Sequence, residues 1–185
     1  MATLKKNLFL QGASGMLGSQ LVYRSMNGRT IVSSRPVRRG EGTEAQKRQN
    51  MRFKYATSFA KHAMANEVLG PIYEAAAVGI TRVRNAYTLA VTDYLRAPEI
   101  GELILPGGAS GSRALVEAYE DPQLAKVRFD IIDEDEQLIS SGEATPTDNG
   151  IQWEFTLTQD IPEGGSIRVR AYDLPGNVST KSFTV

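Results

Sequence analysis

From Ala114 to the last residue, apolar and polar side chains alternate in short runs. Turn residues interrupt these runs about every 8–12 positions. A period of two places every second side chain on the same face of a strand, so each run can bury one face and wet the other. The runs predict strands near Ala114–Tyr119, Lys126–Ile132, Gln137–Glu143, Gln152–Thr158, Ser166–Ala171 and Ser179–Val185. Asp121-Pro122, Asp133 to Glu136, Asp148-Asn149-Gly150, Glu163-Gly164-Gly165 and Pro175-Gly176-Asn177 supply the turns. Many short strands of this kind pack as an antiparallel sandwich or barrel. Within them Ile151, Trp153 and Phe155 share one face, which predicts a buried Trp153.

Upstream the period changes to three and four. Thr43-Glu44-Ala45-Gln46 fits a capping box, in which a threonine oxygen and a glutamine side chain serve backbone N–H groups at a helix start. Phe53, Ala56, Phe59, Ala60, Ala63 and Met64 then form one apolar helix face, opposite Lys47, Arg48, Arg52, Lys54 and Lys61. Gly70-Pro71 ends that helix and opens a short one through Val78. Thr81 is a cap for a third helix, with Val83, Ala86, Tyr87, Ala90, Val91, Tyr94 and Leu95 on one face and Pro98 as its stop. The first 40 residues lean towards strands, at Leu8–Leu10 and in a hairpin of Gln20–Arg24 and Thr30–Ser34 around Asn27-Gly28. Pro106 to Ser112 has a linker composition. The expected fold is therefore α+β in two modules. Residues 1–106 form a β-hairpin plus three helices, and residues 107–185 an antiparallel β-sandwich.

Composition narrows the chemistry. The chain has no cysteine and a single histidine, His62, which removes thiol chemistry and zinc–thiolate sites and leaves no material for histidine relays. His62 lies beside the apolar helix face, where a structural role is expected. No serine or threonine has a base at motif spacing. The expectation is no enzyme, no cofactor and no small-molecule substrate. No apolar run approaches the roughly 18–20 residues of a membrane span, and Leu8–Leu10 is too short for a secretory core, so a cytoplasmic site of synthesis is expected.

Net charge is zero, but unevenly laid out. Residues 1–106 hold 15 of the 21 Lys and Arg and 7 of the 21 Asp and Glu, a net +8. Residues 107–185 hold the other 6 and 14, a net −8. Arg24, Arg29, Arg35, Arg38, Arg39, Lys47, Arg48 and Arg52 form the densest basic stretch. It can neutralise phosphates, with Tyr23, Phe53 and Tyr55 available for stacking, or dock an acidic protein. Asp133 to Glu136 could offer oxygens to calcium, or simply form a solvated turn.

Two resemblances add expectations. Gly165 to Asp173, followed by Pro175-Gly176-Asn177-Val178-Ser179, resembles the last two strands of bacterial immunoglobulin-like domains. The carrying motif is Ala-x-Asp-x-x-Gly-Asn at Ala171 to Asn177. That resemblance implies a spacer, an adhesive module or an assembly surface. Ser14 to Gly18, Val22-Tyr23-Arg24, Gly28-Arg29-Thr30, Arg35-Pro36, and Thr43 to Gln46 leading to Arg52-Phe53 resemble a family of uncharacterised bacterial proteins, some phage-associated. It implies no activity.

Asn7 to Gly18 also looks like the dinucleotide-binding turn of extended short-chain dehydrogenases. The chain lacks their Tyr-x-x-x-Lys pair, an acid about twenty residues on, and the alternating strands and helices of that fold. The glycines are expected to serve turns. The leading expectation is thus a structural subunit that associates with itself head to tail, in a filament, ring or particle. Nucleic-acid binding through residues 24–54 is the alternative, and a nucleotide-dependent oxidoreductase the third.

Overall fold

The computed structural model describes residues 2–4, 13–26, 29–37, 40–79 and 85–185. The chain is of the mixed α+β class and divides into two compact units, Met1–Gln46 and Lys47–Val185.

The first unit contains β1 (Ala2–Leu4), β2 (Gly15–Leu17), β3 (Leu21–Met26) and β4 (Arg29–Ser34). They form an antiparallel sheet in the order β1-β4-β3-β2. The expected hairpin is present, with Met26 opposite Arg29 at its closed end. Its Asn27-Gly28 turn and the expected strand at Leu8–Leu10 lie outside the described residues. Gly15 to Leu17 runs as a strand along β3, and Gly18 sits in the β2–β3 turn with φ +58. The segment that resembled a nucleotide-binding turn therefore leads into a second strand and not into a helix.

In the second unit come α1 (Glu44–Ala65, whose first turn begins in the first unit), α2 (Leu69–Gly79) and α3 (Ala86–Leu95). The capping box is realised: Thr43 N–H donates to Gln46 Oε1 at 3.0 Å, and Gln46 N–H to Thr43 Oγ1 at 3.3 Å. Asn66 Oδ1 accepts from the N–H groups of Val68 and Leu69 and starts α2. Asn85, in extended conformation, caps α3 through Thr88 N–H at 2.8 Å. Thr81, the expected cap, lies outside the described residues. Ala56, Ala60, Ala63, Tyr73, Leu89 and Ala90 form the buried centre where the helices meet.

The remaining strands make two antiparallel sheets. β5 (Glu99–Ile104), β6 (Arg113–Tyr119), β10 (Gln152–Thr156) and β9 (Thr145–Pro146) form one, in the order β5-β6-β10-β9. β12 (Val178–Thr184), β11 (Ser166–Asp173), β7 (Leu124–Ile132) and β8 (Leu138–Glu143) form the other, in that order. Alternation does what the sequence predicts: Ala114, Val116 and Ala118 of β6 join Val127, Phe129 and Ile131 of β7 and Ile167, Val169 and Ala171 of β11 in one core. Phe129 stacks on Phe155 with ring centroids 5.0 Å apart. Trp153 packs partly buried against this core, whereas Ile151, expected on the same face, is exposed because it precedes β10 in the connecting turn.

The two compact units meet at Gln46/Lys47, and residues 106 and 107 lie inside the second. Glu99–Ile104 was unassigned because Gly101 and a register shift between Ile100 and Leu103 break its alternation, yet it pairs with β6. Ile100, Leu103 and Leu105 close the core. The Gly-rich run is bonded down as well: Gly111 N–H donates to Leu157 O, Leu157 N–H to Ser112 O, Ile161 N–H to Gly108 O, and Ser110 N–H to Asp160 Oδ1. Its backbone polar groups find partners on 157–161, so it behaves as an ordered edge and not as a linker.

Gly142 marks how tightly the core is filled. A Cβ there would lie 2.4 Å from Phe155 Cε2. Gly142→Ala is expected to destabilise the protein by about 1–3 kcal/mol through overpacking, read as a lower denaturant midpoint with unchanged slope. An unchanged midpoint would show that the Phe129–Phe155 stack yields freely.

Candidate interaction surfaces

The basic stretch is divided between the two units. Cross-strand pairing of Met26 with Arg29, and of Arg24 with Ile31, sets Arg24 and Arg29 on one face of the first sheet, with Met16, Val22, Met26 and Ile31. Arg35 follows β4, is exposed, and donates its backbone N–H to Gln20 O at 2.8 Å. Arg38 and Arg39 lie outside the described residues. Lys47, Arg48 and Arg52 belong to the second unit, on the first turns of α1, where every residue from Glu44 to Tyr55 is exposed. Arg52 Nη2 donates to Leu95 O at 3.3 Å. Sequence reasoning grouped these cations by proximity along the chain. Within the first unit the fold sets Arg24 and Arg29 on one sheet face, and within the second Lys47, Arg48 and Arg52 lie on the first turns of α1.

The acidic run 133–136 forms the β7–β8 turn. Asp133 Oδ1 accepts from Gln137 N–H at 2.7 Å, and Glu136 takes φ +61. The first carboxylate thereby closes its own turn. Among the described residues, no group of three or more His, Cys, Asp or Glu is arranged to hold a metal ion. His62 is exposed near the end of α1. An open cleft of about 530 Å³ lies beside Trp153, lined also by Tyr119, Glu120, Gln123, Lys126 and Glu143.

The strongest polar cluster was not anticipated as one. Asp173 Oδ1 accepts from the backbone N–H groups of Gly176 at 2.8 Å and Asn177 at 2.6 Å, while its Oδ2 accepts from Asn177 Nδ2 at 2.7 Å. Asn177 Nδ2 also reaches Arg96 O at 2.7 Å, and Asp93 O and Tyr94 O at 3.3 Å. These carbonyls lie at the end of α3, where Arg96 N–H also donates to Asp93 O at 3.1 Å. The Ala-x-Asp-x-x-Gly-Asn motif thus ties the last hairpin to the third helix. Beside it, Asp93, 1% exposed, accepts the Tyr73 hydroxyl proton on Oδ2 at 2.5 Å, and its Oδ1 is buried without a partner.

Burial pushes the Asp93 carboxyl up to about 7; Asp173, Glu120 and Asp121 add to the rise, and the Tyr73 hydrogen bond works against it. Burial likewise raises Glu120 and Asp173. Burial and then the Asp93 hydrogen bond push the Tyr73 phenol far up. The signal in the sequence was a lone acid, Asp93, among the apolar residues of α3. Its partners Tyr73 and Asp173 lie 20 and 80 residues away in the chain, beyond the reach of a local pattern.

No protein-family model and no curated protein sequence matches the chain. Among the described residues, no helix is long and apolar enough to cross a membrane.

An acid whose pKa is raised by folding contributes most stability below its unfolded value and loses that contribution as pH climbs to the folded one. For Asp93 that window runs from 3.8 to about 7, and Asp173 and Glu120 act in the same direction. Asp93→Asn, which cannot ionise, is expected to gain on the wild type by on the order of 2 kcal/mol between about pH 5 and pH 8. Chemical denaturation at the two pH values measures it, and parallel profiles would place Asp93's ionisation outside the folding equilibrium. Asn177→Ala is expected to cost about 1–3 kcal/mol, because it takes the amide away from the α3 carbonyls and from Asp173; an unchanged denaturant midpoint would show that they do without it.

Proposed function

We propose that the chain is a non-enzymatic structural subunit that associates with copies of itself, and that residues 98–185 are an immunoglobulin-like sandwich within it. The strand orders support the second part. Labelled A to G along the chain, with β8 as C′ and β9 as D, the sheets read A-B-E-D and C′-C-F-G, the division expected of immunoglobulin-like domains. Such domains serve as spacers and assembly modules.

The observation that carries the assembly reading is the first unit. Among the residues of this unit whose side chains are described (13–26, 29–37 and 40–46), only Thr30 is buried, while Met16, Leu17, Leu21 and Met26 are 39–62% exposed. A sheet is held by burying at least one face, and the two hydrophobic clusters found among the described residues consist of residues of the second unit. Residues 1–46 hold seven Lys and Arg against two acids, and residues 47–185 hold 14 against 19. A second copy therefore offers the first unit a surface of opposite charge, in a heterologous contact that builds rings or open polymers.

The experiment is light scattering on nuclease-treated protein across a salt series. Association is expected at low salt and is weakened as the Debye length falls from about 10 Å at 0.1 M to about 3 Å at 1 M. A strictly monomeric protein at low salt and high concentration removes this reading. Tight binding to DNA or RNA by such a monomer, lost in Arg24→Glu with Arg29→Glu, would put nucleic-acid recognition in its place.

A further inference from the structure

α1 is buried along only half of its length. From Ala56 on it packs into the helical core, whereas each residue from Glu44 to Tyr55 is exposed, with Arg52 also reaching Leu95 O. Residues 47–55 carry Lys47, Arg48, Arg52 and Lys54 and no acid. Arg48, Met51, Arg52 and Tyr55 fall at i, i+3, i+4 and i+7, so two cations and two large apolar side chains share one stripe of the helix. Met51 and Tyr55 are 49% and 54% exposed. A helix face of this composition is made to be covered by something both apolar and acidic.

The same unit presents such a surface. Pairing of β5, β6 and β10 turns Ala114, Val116 and Ala118 inward and sets Glu99, Glu117 and Glu154 outward with Ile104, Leu115 and Tyr119. Ile104 and Tyr119 are 50% and 52% exposed. Arg113 pairs with Glu154 at 3.7 Å, and Tyr119 donates to Glu99. Glu117 has no ion-pair partner among the described residues. On the outer face of the second sheet Asp130 takes Arg170 at 2.6 Å and Arg128 at 3.6 Å. Twelve helical residues span about 18 Å, and the seven of β6 about 23 Å, so the exposed half of α1 matches the sheet in length.

We infer that the exposed first half of α1 docks on the outer face of the β5-β6-β10 sheet of a second copy of this chain. The inference rests on the self-association proposed above and names its surfaces. Met51 and Tyr55 lie against Ile104, Leu115 and Tyr119, and Arg48 and Arg52 lie over Glu117 and Glu154. Helix and sheet are different patches, so each copy keeps one of each free and the contact repeats head to tail.

A charge exchange tests it. Arg48→Glu with Arg52→Glu sets acid against acid, and Glu117→Lys with Glu154→Lys sets base against base. Each double variant alone is expected to lose association by about tenfold or more. Mixed one to one, the two are expected to recover it, because each helix then meets a sheet of opposite sign. Circular dichroism checks that both variants fold. Because the chain has no cysteine, Met51→Cys mixed with Tyr119→Cys gives an independent reading under mild oxidation. A disulfide joining the two variants is expected, in excess of either variant's own dimer. Wild-type association that survives in each charge variant, or the absence of both rescue and mixed disulfide, overturns these surfaces and leaves self-association standing. A monomeric wild type overturns both. Association abolished by nuclease overturns the direct protein contact in favour of a nucleic-acid bridge.

Discussion

One asparagine amide joins the helices to the sheets. Asn177 Nδ2 is held by Asp173 on its own turn and reaches the carbonyls of Asp93, Tyr94 and Arg96 on α3. The turn that presents it needs Gly176 at φ +94, a conformation side chains resist. From the same turn Leu174 packs into the helical cluster, adding apolar contact to the polar clasp. The clasp fixes where α3 ends, and therefore where β5 begins three residues after Arg96. With β5 placed, Ile100 and Leu103 can close the core of the sheets. A motif that resembles the final turn of an immunoglobulin-like domain thus also sets the position of the helices.

The clasp explains why so much negative charge is tolerated around it. Asp173 is 2% exposed, but its oxygens accept two backbone N–H groups and one amide, which offset part of the cost of burial. Asp93 has only Tyr73, and one of its oxygens is stranded, so in Asp93 the cost appears as a raised pKa. Ionising Asp93 places a second buried charge near Asp173, Glu120 and Asp121, on the helix whose last carbonyls Asn177 holds. Proton release and loosening of the helix from the hairpin are then linked events.

What could be read in advance was whatever depends on neighbours in sequence. The capping box at Thr43, the hairpin of β3 and β4, and the alternation of β6, β7 and β11 are local patterns, and each element lies where its pattern predicted. β5 escaped because a glycine and a register shift hide its period, and the polar cluster escaped because Tyr73, Asp93 and Asp173 are far apart in the chain. The Gly-rich run was taken for a linker on composition. Composition reports flexibility in the unfolded chain, whereas the bonds to Leu157 and Ile161 that order it belong to the fold. The basic stretch is adjacent in sequence, and its described members fall in both units.

Charge and burial have separate parts in any contact this chain makes. Exposed ion pairs are worth little individually in water, so Arg48 and Arg52 over Glu117 and Glu154 would set orientation and encounter rate more than lifetime. Lifetime has to come from apolar area, and Met51, Tyr55, Ile104 and Tyr119 are among the exposed large apolar residues of the second unit. The first unit has a further requirement. Its sheet shows Met16, Val22, Met26 and Ile31 on the face that carries Arg24 and Arg29, and a surface that covers those apolar residues must also receive the two cations. An acidic, partly apolar partner meets both conditions, whereas a phosphate backbone meets the second alone.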